Sequence, residues 1–210
     1  MKKESPIIEV CVATVEAAIA AEHSGAERIE LCRNIENGGT TPSYADIAYC
    51  VKNLKLKTNV LVRPRAGNFM YSEAEFEIIK NDVLYCKSLG VNAVVVGFLH
   101  EDFTVDINKT SEIVKLAQPM EVTFHRAFDV CADWKIALEQ IIRCGCTRIL
   151  TSGQQPTALE GAENIKRMVQ QVGDRIVILA GSGVTVENYE QLAEATGVRE
   201  VHGTKLIINH

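Results

Sequence analysis

Ser24-Gly25-Ala26-Glu27-Arg28-Ile29-Glu30-Leu31-Cys32 holds a helix end, a stop, a return and a strand in one phrase. The glycine permits the left-handed turn that closes a helix, and the apolar run after it has the composition of a buried strand. The same phrase recurs at Leu89-Gly90, Cys144-Gly145 and Thr196-Gly197, each followed by a two-residue return and a strand candidate. Strand candidates are Ile7–Val12, Arg28–Cys32, Thr58–Arg63, Ala93–Gly97, Glu121–His125, Arg148–Thr151, Arg175–Ala180 and Glu200–His202. Their near-continuous Val, Ile and Leu content suits parallel strands covered on both faces.

Segments of helical spacing lie between them. Ser72 with Glu75 makes a capping box and Ser43 with Asp46 a looser one, while Thr14 and Thr185 are candidate N-caps. Returns of similar length, repeated this regularly, predict a TIM-like (β/α)8 barrel of parallel strands rather than an open doubly wound sheet. The open sheet calls for a G-x-G-x-x-G turn after its first strand; the chain reads Ala13-Thr14-Val15-Glu16 there. The sequence stops at His210, soon after the eighth strand. The final helix is therefore expected to be missing or truncated, leaving apolar barrel wall for a partner subunit to cover. No linker or low-complexity stretch divides residues 1–210, so a single domain is expected.

Of the 210 residues 47% are hydrophobic, which predicts a packed core and excludes disorder. A net charge of −5, spread along the chain, offers no basic stripe to a phosphate backbone, so nucleic acid is not an expected partner. No apolar run approaches the roughly 20 residues that span a bilayer. The basic start, Met1-Lys2-Lys3, is not followed by a signal-peptide core. No membrane association is expected, and the location predicted is cytoplasmic. Seven cysteines, an odd number inside predicted helices and strands, read as reduced thiols.

Polar residues interrupt the apolar strands near their C-terminal ends, where barrels of this kind carry their sites. Glu9 and Cys11 lie two apart on strand one, and Glu30 with Cys32 repeats the arrangement on strand two, so each pair shares a face. Strand three ends in Arg63-Pro64-Arg65, and strand five in His125-Arg126 with Asp129 just beyond. Carboxylates inside a barrel need partners, and the arginines provide them. The residues read either as a salt-bridge layer filling the barrel or as a pocket for a small anionic metabolite. In the second reading Glu9, Glu30 and His125 exchange protons, Arg63, Arg65 and Arg126 clamp an anion, and Asp129 orients a partner. Ser152-Gly153 and Gly181-Ser182-Gly183 are candidate phosphate turns, with Thr185 opening a helix behind the second.

The phrases Glu9-Val10-Cys11-Val12, Gly25 to Cys32, Gly38-Gly39-Thr40-Thr41-Pro42-Ser43, Arg63-Pro64-Arg65 and Val122 to Asp129 resemble the CutC family, as do Arg148 to Gly153 and the Gly181–Val184 turn. The resemblance runs in order over roughly residues 7–204. It implies a TIM-like barrel, a cytoplasmic homo-oligomer and a link to copper homeostasis. It also implies copper(I) ligands at the positions of Cys11 and Cys32, an assignment in keeping with the preference of soft copper(I) for thiolates. The sequence has Ala13 where an aspartate is common in the family and Ser182 where a glycine is common. Two functions follow as expectations: a copper(I)-binding homeostasis protein, or a barrel enzyme acting on a small anionic or phosphorylated metabolite.

Overall fold

The computed structural model describes residues 5–207; the basic start and the last three residues lie outside them. Eight parallel strands close into a barrel in sequence order, the last pairing with the first. They are β1 (Ile7–Val12), β2 (Arg28–Leu31), β3 (Lys57–Leu61), β4 (Ala93–Val96), β5 (Glu121–Phe124), β6 (Arg148–Thr151), β7 (Val177–Gly181) and β8 (Glu200–Gly203). Around them run α1 (Val15–His23), α2 (Tyr44–Asn53), α3 (Glu73–Leu89), α4 (Ile107–Ala117), α5 (Trp134–Cys144), α6 (Ala162–Val172) and α7 (Tyr189–Thr196). Among the described residues no helix follows β8, as the sequence predicts.

Local chemistry sets the helix ends. Ser72 and Glu75 satisfy each other's backbone N–H groups, and Thr14 and Ser43 cap α1 and α2. Gly90, Gly145 and Gly197 end α3, α5 and α7 at positive φ, which a Cβ would penalise. One expected start is corrected: α7 begins after Asn188, not at Thr185, whose hydroxyl accepts instead from the N–H of Glu187 at 3.3 Å. The helix therefore opens four residues beyond Thr185, and the expectation of its N-terminus behind the glycine turn falls.

Strand parity sorts the side chains into two zones. Val10, Ile29, Val60, Val94, Val122, Phe124 and Ile149 face outward into one large apolar core beneath the helices. A separate apolar cluster of Cys32, Leu61 and Val95, with Cys11 and Ile35 against it, sits inside the barrel. The rest of the interior is largely polar. Stability therefore resides chiefly in the outer shell, where full burial of each Val, Leu or Ile is worth about 1.5–3 kcal/mol. The interior is left for polar work.

Four strands end earlier than their sequences suggest, β4 among them at Val96 rather than Gly97. Cys32, Arg63 and His125 are loop residues just past β2, β3 and β5, although the N–H of Cys32 and of His125 still reach the neighbouring strand, at 2.9 and 2.7 Å. At its other end β7 starts at Val177 rather than Arg175.

Candidate functional site

The polar interior has two levels. On the lower one, Arg28 donates through Nε to Glu9 at 2.5 Å and through Nη2 to Glu200. Glu200 also receives Arg148 Nε at 2.9 Å, and Arg148 pairs in turn with Glu121. Asn59 Nδ2 and His202 Nδ1 each meet Glu9 at 2.8 Å. Burial pushes the Glu9 carboxyl upward, but the His202 hydrogen bond and the Arg28 charge outweigh it and hold the pKa at about 2. Glu9 is a fully bound tie between β1, β2, β3 and β8, ionised at neutral pH. It does not line the cavity above, and the proton-exchange role expected of it is corrected: a carboxylate with this pKa and these partners is an anchor.

The upper level opens into a cavity of about 420 Å³ at the C-terminal ends of the strands. Cys11 and Cys32 meet on its wall, sulfur to sulfur at 3.5 Å, and Cys32 Sγ is also 3.5 Å from the carbonyl of Val12. Register pairs Cys11 with Glu30, so one carboxyl and two thiols converge, their donor atoms within 4.8 Å of one another. The hydrogen bond to Cys32, burial and the charge of Glu30 push the Cys11 thiol well above its usual range. Burial raises the Glu30 carboxyl; His202 pulls against the rise and Glu9 adds to it. His202 Nε2 lies 3.7 Å from Glu30. Burial lowers the His202 pKa, but Glu30 and the Glu9 hydrogen bond more than reverse this and raise it. Glu30 and His202 are the titratable pair facing the cavity.

Across the cavity stand Arg63, His125 and Arg126. Arg63 is 4% exposed, and its terminal nitrogens donate to the carbonyls of Asn37, Gly38, Gly39 and Gly67. That corrects its reading as a clamp through those two nitrogens, which tie the β2 and β3 loops together; Nε alone is left without a partner. Arg65 lies off the cavity, bound to Glu75 and to the carbonyls of Asn68 and Met70; its clamp role is corrected for the same reason. His125 Nδ1 accepts the N–H of Ala127 at 3.1 Å. Burial and the nearby Arg63 charge depress its pKa to about 3. A ring held neutral in this way is a hydrogen-bond donor through Nε2, not the proton-exchanging base expected.

Asp129 accepts from Thr151 Oγ1, the N–H groups of Ser152 and Gln154, and Arg126 Nε at 2.8 Å. The Ser152-Gly153 turn is thus wrapped around a carboxylate of the protein itself. Neither residue lines the cavity, and its reading as a phosphate turn is corrected. Gly181 lies beneath the mouth, where a Cβ would come within 2.6 Å of Leu150. Gly183 does line the cavity, beside Ser182, whose φ of +82° is the left-handed conformation that a glycine adopts freely. Sequence reasoning missed His202, Arg28, Asn59, Arg148 and Glu200. The signal was available: Glu200 and His202 have the same two-residue spacing on β8 as Glu9 and Cys11 on β1.

A family model described as the CutC family matches residues 6–207. The chain belongs to the CutC family. It is 43% identical over 198 residues to a family protein CutC of Chromobacterium violaceum, covering 94% of this chain and 80% of that one. A human protein named copper homeostasis protein cutC homolog is 41% identical over 196 residues, 93% of this chain and 72% of that one. A crystal structure of a CutC protein from Streptococcus agalactiae, described as a copper homeostasis protein, superposes with a TM-score of 0.91 at 33% identity, covering 96% and 99% of the two chains. A deoxyribose phosphate aldolase from Aeropyrum pernix shares the fold at 15% identity and a TM-score of 0.70, over 94% and 85% of the chains. No helix among the described residues of this CutC chain is long and apolar enough to cross a membrane.

Proposed function

We propose that this CutC-family protein binds copper(I) as cargo through Cys11 and Cys32, as part of copper homeostasis. The observation that carries the reading is the 3.5 Å contact between the two sulfurs on the cavity wall. Two sulfurs can hold one ion if they lie within about twice a metal–sulfur bond of about 2.3 Å, and these do without any backbone movement. Both donors are soft, which favours copper(I) over harder ions. The remaining cysteines among the described residues are buried apart in the helical shell and at its edges. Glu30 is the third donor within reach. Its carboxyl adds a negative charge to the two thiolates, which favours retention of a cation.

The proposal extends to a homo-oligomer working in the cytoplasm, where free thiols persist. The family resemblance supports both points. The test is titration of the reduced, oxygen-free protein with copper(I) against a competing chromophoric chelator. Near-stoichiometric uptake by the parent and its loss in Cys11→Ser/Cys32→Ser is expected. Equal uptake by that variant ends the reading.

A further inference from the structure

Among the described residues, five buried side-chain polar atoms lack a hydrogen-bond partner: the hydroxyls of Thr58, Tyr71 and Thr123, Arg63 Nε and His125 Nε2. The last two differ from the hydroxyls in belonging to residues that line the cavity. Both are N–H donors, both residues are at most 5% exposed, and both pack on Phe69. The Arg63 guanidinium carbon is 5.0 Å from that ring's centre and the imidazole centre 4.9 Å. An orphaned buried donor is destabilising, so two beside one cavity call for an acceptor.

The imidazole is held for this purpose. Gly97 lies against one edge, where a Cβ would come within 2.4 Å of Cε1 and Nδ1. The Ala127 N–H occupies Nδ1, which leaves the ring proton on Nε2. Arg126 and Lys205 add positive charge to the lining, against the single carboxyl of Glu30. At about 420 Å³ the space is larger than an inorganic ion needs and falls in the range of small-metabolite pockets.

We propose that this cavity is a binding site for a small organic oxyanion, a carboxylate or a phosphate ester, whose oxygen accepts from Nε2–H of His125 and Nε–H of Arg63. Arg63 contributes through the one nitrogen that the loop carbonyls do not occupy. Arg126 and Lys205 draw the rest of the anion toward the rim.

Isothermal titration of the copper-free, reduced protein tests this with three probes: glycerol 3-phosphate, glycolate and uncharged glycerol. At least one anion should bind saturably at millimolar concentration or tighter, and glycerol should not. A phosphate-only or carboxylate-only response assigns the class. His125→Phe keeps an aromatic ring against Phe69 but removes the donor, and should weaken binding at least tenfold. Arg126→Met/Lys205→Met, at the rim, should weaken it about fivefold. Nitrogen-detected NMR of the parent gives an arm that needs no variant, because the His125 Nε2 resonance should move on saturation. Absence of saturable anion binding overturns the proposal, as does full affinity in both variants or an unmoved Nε2 signal at saturation. The copper reading is tested separately, by copper(I) uptake in the Cys11→Ser/Cys32→Ser variant, while the anion is titrated into the copper-free parent, so either can fail alone.

Discussion

Replacing Arg28 by Met tests whether the lower polar level holds the barrel closed. Arg28 bridges Glu9 and Glu200 inside the barrel, with its side chain 4% exposed. Removing one member of a buried ion pair costs roughly 3–5 kcal/mol. Here Glu9 keeps Asn59 and His202, and Glu200 keeps Arg148, so the low end, about 3 kcal/mol, is expected. For a chain of this length that is a fall in Tm of about 10 °C. The pH dependence separates charge from packing. Glu9 is lowered from 4.5 to about 2. A lowered carboxyl contributes stability that is fully present above its unfolded pKa and disappears as pH falls through the folded one. The shift is worth about 3 kcal/mol at neutral pH and about half of that at pH 3. The gap between parent and Arg28→Met, followed by urea unfolding, should narrow over that interval as protonation relieves the unpaired carboxyl. A gap below about 1 kcal/mol at pH 7, or one that stays constant down to pH 3, would refute the reasoning.

Two further outcomes follow from the same geometry. The imidazole of His125, with its pKa near 3, should show flat carbon-bound proton shifts between pH 5 and 8, while His202, raised by Glu30 and Glu9 against its burial, should titrate above the usual histidine range. Gly39 lies at φ +85° with room for no Cβ, which would come within 2.6 Å of a Leu61 methyl; Gly39→Ala should lose about 2 kcal/mol in urea unfolding, the sum of backbone strain and crowding.

The barrel was legible in the sequence because its signals are local. A glycine stop such as Gly90 or Gly145 needs no distant partner to act, and the period-two spacing of Glu9 with Cys11 and of Glu30 with Cys32 survives any change in the loops. The convergence of the two thiols and Glu30 follows from that parity together with strand adjacency. What each arginine donates to was not legible. Arg63 spends its terminal nitrogens on main-chain carbonyls, and every residue type carries a carbonyl, so nothing in the sequence distinguishes those at 37–39. Asp129 likewise binds backbone N–H groups of a turn more than twenty residues on. The role of His202 depends on β8 closing against β1, a pairing that no local signal announces.

The hydrogen bond between Glu9 and His202 joins residues 193 positions apart, and Arg28 waits on Glu200 across 172. On a ribosome, therefore, the first two strands emerge with their own Glu9–Arg28 pair, while the partners on β8, His202 and Glu200, follow more than 170 residues later. Contacts of such long separation form slowly, because closing a large loop precedes any gain from it. The ring of ion pairs inside the barrel stays open until β8 has been made. Cellular quality control will meet this protein with its ion-paired seam still unzipped.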